Sequence, residues 1–286
     1  MCARSRRCRS TWSSSLATAP LFSLEGETAV VTGALGNLGP VWMRALLQSG
    51  ARVFGLDLRE LPLPEPVKKL AAQHGERFAL RKCDIRSAED LRAALADCIK
   101  RLGPPSVLVN NAGIDQPPAA LPKTWRVEDW PLEDFKTVVD LNLSYTFGVC
   151  QVFGGEMARR GRGSIINIGS LYASLSPDPA LYDHIPADPP FIKPAAYGAS
   201  KAALVNLTRY LAVHWAGRGV RVNALSPGGV LANQDAEFRR KFCAKVPMRR
   251  MAEEADLEGP LLFLASGASR YVTGVELHVD GGFTAI

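Results

Sequence analysis

A chain of 286 residues that is 47% hydrophobic and 22% charged can bury a substantial core, which excludes disorder along its whole length. No apolar run approaches the ~18 residues that cross a bilayer, so no membrane partner is expected. The formal charge of +6 owes four units to Arg4, Arg6, Arg7 and Arg9, in an acid-free first twenty residues. The +2 left on the body gives nucleic-acid binding no support.

Residues 1–20 are rich in Arg and Ser and lack the apolar centre of a secretory signal. They are expected to form a disordered basic tail, with residues 21–286 making up the folded domain. An organellar transit peptide, or a start codon placed too far upstream, stays open. The six cysteines, at 2, 8, 83, 98, 150 and 243, form no C-x-x-C and no ligand-like grouping with the four histidines. No metal site is expected, and a reducing, cytoplasmic setting fits best.

From Leu24 onward short β-branched runs alternate with helical stretches. Strands are expected at Thr28–Thr32, Ala51–Leu56, Phe78–Cys83, Ser106–Asn110, Ser164–Ile168, Val220–Leu225 and Glu276–Val279. Helices are expected at Leu38–Gln48, Val67–Gln73, Ala88–Arg101, Leu132–Ala158, Tyr197–Ala216 and near Ala255–Ala265. That alternation predicts an α/β fold: one Rossmann-like, doubly wound parallel sheet of about seven strands with helices on both faces. Ligands in such sheets bind beyond the carboxyl ends of the strands.

The first strand runs directly into Thr32-Gly-Ala-Leu-Gly-Asn-Leu-Gly39. Glycines at 33, 36 and 39 allow a sharp turn and a close approach to a pyrophosphate, and the following helix points free N–H groups at the anion. The spacing departs from G-x-G-x-x-G, and a glycine-rich turn without a ligand is the plain alternative. Eighteen residues beyond Gly39, Asp57 ends the second strand. A carboxylate there accepts adenosine ribose hydroxyls and repels a 2′-phosphate, so NAD is favoured over NADP, although Arg59 could accommodate that phosphate.

Tyr197-Gly-Ala-Ser-Lys201 opens an apolar helical run. With about 3.6 residues per turn, a phenol and an ammonium four apart stand on one helix face. A phenol of pKa about 10 shuttles protons poorly at neutral pH. A fixed cation beside it, joined by an oxidised nicotinamide, favours the phenolate. By itself the motif also fits an ordinary amphipathic helix with Leu204, Leu207 and Leu211 inward.

Taken together with Asn110-Asn-Ala-Gly113 after the fourth strand, Ser170 after the fifth, Ser226-Pro-Gly228 after the sixth and Tyr271-Val-Thr-Gly near the end, the chain resembles a short-chain dehydrogenase/reductase of the single-domain branch. The resemblance implies Tyr197 as general acid/base and Lys201 as the group that lowers its pKa and binds the nicotinamide ribose. It implies that Ser170 holds the reacting oxygen and that Asn142 supports a water relay. It also implies a dinucleotide contacted by Gly33, Leu35, Gly36, Asn37, Leu38, Gly39 and Asp57, by Asp84 and Ile85 at the adenine, and by Asn111, Ala112 and Gly113. Tyr197, Lys201, Pro227, Gly228 and Val230 would flank the nicotinamide. A small-molecule substrate, a secondary alcohol or ketone, follows, as does pairing of the helices at Leu132–Ala158 and Tyr197–Ala216 into a homodimer or homotetramer.

Three features depart from the family pattern. The middle glycine of the phosphate loop stands one position early, where Asn37 follows it. The threonine after Pro-Gly is missing, leaving Ala232 and Asn233. Ser170 and Tyr197 lie 27 positions apart, a wider gap than usual, across a proline-rich insert, Ser176–Pro194, that carries Tyr182, Asp183, His184, Asp188 and Lys193. The insert is read as a substrate-facing lid, with a solvated loop as the alternative. These features are together similar to reductases of flagellin glycosylation and nonulosonic-acid sugars, which would imply a sugar-like substrate. An epimerase or dehydratase with tightly held NAD, and a non-catalytic NAD-binding regulator, are the competing readings.

Overall fold

Every residue of Thr28–Thr32 is buried, as a strand covered on both faces must be. The computed structural model describes residues 21–59, 62–116 and 124–286, so the expected N-terminal tail lies outside the described residues. Seven strands form one sheet: β1 (Thr28–Thr32), β2 (Arg52–Asp57), β3 (Phe78–Lys82), β4 (Val107–Asn110), β5 (Gly163–Ile168), β6 (Val220–Pro227) and β7 (Glu276–Val279). Their order is β3-β2-β1-β4-β5-β6-β7 and every pairing is parallel. The chain winds outward from β1 in one direction and from β4 in the other. This reversal opens a crevice above the carboxyl ends of the two strands.

One face of the sheet is covered by α1 (Gly39–Gln48), α2 (Glu65–His74) and α9 (Glu254–Ala265), whose Trp42, Met43, Leu46, Val67, Leu257 and Leu261 pack into one apolar cluster. The other is covered by α3 (Ala88–Leu102), α4 (Leu132–Val139), α5 (Tyr145–Val149), α6 (Gly155–Arg160) and α7 (Ala195–Ala216). There Leu91, Cys98, Phe153, Met157 and Leu211 pack on Phe54 and Ile165. Cys83, Cys98 and Cys150 are buried free thiols, each pushed up to about 12 by loss of solvent, which suits the bland structural role of a small apolar side chain.

The expected elements are all present, with ends that differ by a few residues. Two differences matter for the site. The stretch expected as one helix over Leu132–Ala158 is helical over residues 132–160 but carries two π-turns, Asp140–Ser144 and Cys150–Gly154. An extra residue in a turn breaks the even 3.6-residue spacing, which apolar periodicity averages over. A further helix, α8 (Ala236–Lys245), was not expected. Phe242 is its one buried residue, so it has almost no apolar stripe to read. Asp235 starts it by accepting a hydrogen bond from the Phe238 N–H at 2.8 Å. No described helix is long and apolar enough to cross a membrane.

Candidate active site

β1 delivers Thr32 into the phosphate-loop candidate. Gly33 has φ +63°, and a Cβ there would stand 2.9 Å from the Ala112 Cα. At Gly39 it would stand 2.5 Å from the carbonyl oxygens of Gly33 and Ala34. Backbone closes both positions to any side chain. α1 then starts at Leu38 with no side-chain cap and no acid in its first turn. Its free N–H groups and the positive end of its dipole are left for an anion, which fits a pyrophosphate.

Asp57, at the end of β2, accepts a hydrogen bond from the Leu35 N–H at 2.8 Å, tying loop to strand. Its other oxygen accepts from the Arg59 N–H at 3.0 Å and from Arg59 Nε at 3.3 Å. The oxygen that accepts from Leu35 keeps a second lone pair that can take a ribose hydroxyl. Asp84, after β3, is gripped by Arg86, whose Nη2 lies 2.6 Å from it and holds its carboxyl below the usual range; Ile85 follows, half-buried.

Asn111 is a clasp. Its Nδ2 donates to the carbonyls of Thr32 and Gly33 at 3.1 and 3.0 Å, and its Oδ1 accepts from the Trp42 indole at 2.8 Å. Thr32 Oγ1 accepts from the N–H groups of Asn111 and Ala112, both at 3.1 Å. The ends of β1 and β4 are thereby locked edge to edge beneath the crevice. At the end of β6, Gly228 donates its N–H to Val279, and a Cβ on it would meet the Asp280 backbone at 2.8 Å. Pro227 closes the strand, and Val230 bridges to Ala252. Where the family threonine is missing, Gln234 closes the loop by donating to the Val230 carbonyl and accepting from the Ala232 N–H, both at 2.8 Å, while Asn233 is exposed.

Pro194 precedes α7 and sets its start, so Tyr197 and Lys201 fall in its first two turns. Lys201 is buried and donates from Nζ to the Ile168 carbonyl at 2.7 Å, at the end of β5. Burial pulls its ammonium down to about 8. Its Nζ lies 5.8 Å from the Tyr197 ring centre. Burial pushes the Tyr197 phenol up, and a hydrogen bond with the Ser170 side chain opposes that shift. Desolvation thus raises the phenol and lowers the lysine, the two effects that the expected pairing of Lys201 with an oxidised nicotinamide has to offset. Ser170 is extended, and its Oγ accepts the Tyr172 N–H at 3.2 Å.

Asn142 sits in the first π-turn. Its side chain accepts from the Ile114 N–H at 2.8 Å and donates to the Ile114 carbonyl at 2.8 Å and to Ser200 Oγ at 3.0 Å. A Cβ on Gly113 would stand 3.0 Å from Asn142 Oδ1 and 3.6 Å from Lys201 Nζ. Ser170, Tyr197, Lys201, Asn142 and Gly113 thus gather at the ends of β4 and β5.

Reading along the chain missed two neighbours of this cluster, Tyr172 and Asp115, while Lys193 belongs to the insert already read as substrate-facing. Tyr172 meets the Tyr197 ring edge-on at 6.4 Å. Lys193 Nζ lies 5.5 Å from the Tyr197 ring centre and 2.8 Å from Asp115. Tyr172, two positions after Ser170, was the one with a local signal. The insert is not a free solvated loop. Leu181 and Tyr182 are buried with Phe242, Val246 and Met251, while Lys241 pairs with Asp183, Lys245 with Asp178 at 2.7 Å and His184 with Asp235 at 3.0 Å. Between insert, α8 and the C-terminal turn lies a cavity of about 340 Å³ lined by Tyr172, Leu181, Lys245, Val246 and Phe283.

A family model described as enoyl-(acyl carrier protein) reductase matches residues 33–284. The chain is a short-chain dehydrogenase/reductase. Galactitol 2-dehydrogenase (L-tagatose-forming) of Cereibacter sphaeroides is 36% identical over 273 residues, 92% of this chain and 97% of the relative. A gluconate 5-dehydrogenase from Burkholderia cenocepacia, solved with NADP and tartrate, superposes with a TM-score of 0.78 at 30% identity over 93% of this chain and 98% of that one. A short-chain dehydrogenase from Leptospira borgpetersenii with bound NAD+ gives 0.78 at 31% identity over 92% and 94%. This short-chain dehydrogenase/reductase is an NAD(P)-dependent oxidoreductase that takes a nicotinamide dinucleotide.

Proposed function

We propose that the protein interconverts a secondary alcohol and a ketone on a polyol or sugar-derived substrate, with NAD(H) as its dinucleotide. The observation that carries this is the meeting of Tyr197, Ser170 and Lys201 beside the phosphate loop, in the crevice where the sheet reverses. When bound, the dinucleotide supplies the hydride acceptor or donor. Gly33, Leu35, Gly36, Asn37, Leu38 and Gly39 hold its pyrophosphate, and Asp57 its adenosine ribose. Asp84 and Ile85 face its adenine. Asn111, Ala112 and Gly113 form its floor, and Pro227, Gly228 and Val230 flank the nicotinamide.

The protein's own chemistry is proton transfer and orientation. In the oxidative direction the Tyr197 phenolate takes the proton of the substrate hydroxyl; in the reductive direction the phenol returns it to the carbonyl oxygen. The Ser170 hydroxyl donates to the same oxygen, where negative charge builds. Lys201 binds the nicotinamide ribose and adds positive charge, together with that of the oxidised ring, which offsets the rise that burial imposes on the phenol. Asn142 fixes the Ile114 backbone beside Lys201 and supports a water path to its amine.

Polyol and sugar-acid names among the relatives support the substrate class; the narrower likeness to flagellin-glycosylation reductases gains nothing from them. Asp57 carries the preference for NAD, with the Arg59 guanidinium held by Asp57 and by the Leu35 carbonyl at 2.5 Å. Homodimers or homotetramers would form through the helices that leave Leu132, Phe147, Tyr210 and Val213 exposed. The deciding experiment is a panel of polyols, sugar acids and their keto forms, assayed with both dinucleotides beside Tyr197→Phe. Turnover with NAD(H) that drops about 10²–10⁴-fold in the variant is expected; a fully active variant, or a strong preference for NADP, would overturn the corresponding part.

A further inference from the structure

The insert brings a second ammonium to the site. Lys193 stands as close to the Tyr197 ring as Lys201 does, 5.5 Å against 5.8 Å, and its side chain is only 19% exposed. It does not act alone, because Asp115, from the loop after β4, pairs with it at 2.8 Å. The partners lie 78 positions apart, one on the insert and one on the sheet's own loop.

The groups that face Tyr197 can be named element by element. Lys201 comes from its own helix, Ser170 and Tyr172 from the turn after β5, Asp115 from the loop after β4 and Lys193 from the insert. Ser170 contributes a hydrogen bond, Tyr172 opposes ionisation of the phenol, and Lys201 donates to the Ile168 carbonyl while keeping its positive charge. Asp115 and Lys193 form the oppositely charged pair that acts on the phenol from outside α7. A cation near a phenol favours its ionised form and an anion disfavours it. As an intact pair they oppose one another, so removing either one unmasks the other.

We propose that Lys193 and Asp115 are positioning residues that set, by opposing and balanced charge, the pH at which Tyr197 exchanges its proton. The proposal rests on the reading of Tyr197 as the acid/base group. It makes the tuning of the phenol depend on the insert, since only the seated insert brings Lys193 to the ring.

A mere latch and a charge balance make different predictions. A latch loses the same contact whichever partner is removed, so both variants would change alike. A charge balance gives shifts of opposite sign. The test is a pair of substitutions, Lys193→Met and Asp115→Asn, and their combination in the full-length protein, read in two ways. One readout is the pH titration of phenolate absorbance, taken as the difference from the Tyr197→Phe background, with and without NAD+ and without substrate. The other is the pH profile of kcat/KM on whichever polyol or sugar acid the panel identifies.

Lys193→Met is expected to move the Tyr197 midpoint upward by about half to one pH unit, Asp115→Asn downward by a similar amount, and the double variant to fall back near the wild-type value. Midpoints that move the same way, or that do not move, overturn the proposal. Should a single variant unfold, Lys193→Arg and Asp115→Glu, which keep the charges, are expected to leave the midpoint in place. The double variant then carries the test: a midpoint far from the wild-type one sinks the balance. A wild-type protein inactive on the whole panel would remove the proposed function, while the phenolate titration would still decide the charge balance.

Discussion

Lys201 is an ammonium placed where solvent cannot reach it, and its protonation is linked to folding. Its pKa is about 8 in the folded protein against an ordinary value of 10.5. The unfolded chain therefore binds more protons between those values, and stability from this group rises with pH across that window. Below about 8 the full penalty applies, at most about 3 kcal/mol, less the roughly 1 kcal/mol returned by its bond to Ile168. We predict that Lys201→Met stabilises the dinucleotide-free protein at pH 7 by about 2 kcal/mol while abolishing turnover. The advantage over wild type should shrink between pH 8 and 10.5, as followed by denaturant unfolding at several pH values. At this scale the sequence was readable where chemistry sits in short local patterns. The glycines of the phosphate loop, Asp57, Ser170 and the Tyr197/Lys201 turn are all of that kind. The Lys193–Asp115 contact was not, because two segments remote in the chain meet only once the sheet order is known.

At the scale of elements, the insert and α8 share one apolar cluster with Tyr172. Phe242 is its hub, stacking on Phe238 at 5.7 Å and on Phe283 at 5.0 Å, with Leu181 and Tyr182 in the same cluster. This cluster is separate from the two that line the sheet, so we predict that it loosens before they do. Phe242→Ala is expected to loosen it by about 3–5 kcal/mol. Limited proteolysis should then cut within residues 176–194 before the rest of the chain, and KM for substrate should rise while dinucleotide affinity holds. Equal loss of both affinities would count against a separate lid. The strands were legible because their buried runs are short and end in glycine, asparagine or aspartate. The π-turn that carries Asn142 was not, since one residue added to a turn leaves the composition of the helix unchanged.

For the molecule as a whole, the alternation of strand and helix dictated a doubly wound sheet, and right-handed crossovers leave few other ways to connect it. What alternation cannot convey is which outer helix faces stay uncovered. Val213 is 78% exposed and Tyr210 58% on α7, and Phe147 on α5 is exposed as well. Val213→Asp is predicted to shift the protein toward monomers in light scattering with its circular dichroism unchanged. A wild-type protein already monomeric would refute the assembly.

The insert leaves the chain just after Ser170 and rejoins it just before Tyr197. Lengthening a surface excursion is inexpensive, about 0.6 kcal/mol for each doubling, so the scaffold beneath tolerates wholesale replacement of this segment. Grafting the corresponding stretch of another polyol enzyme onto these two anchors should therefore transplant substrate taste and acid-base tuning together, as one heritable cassette.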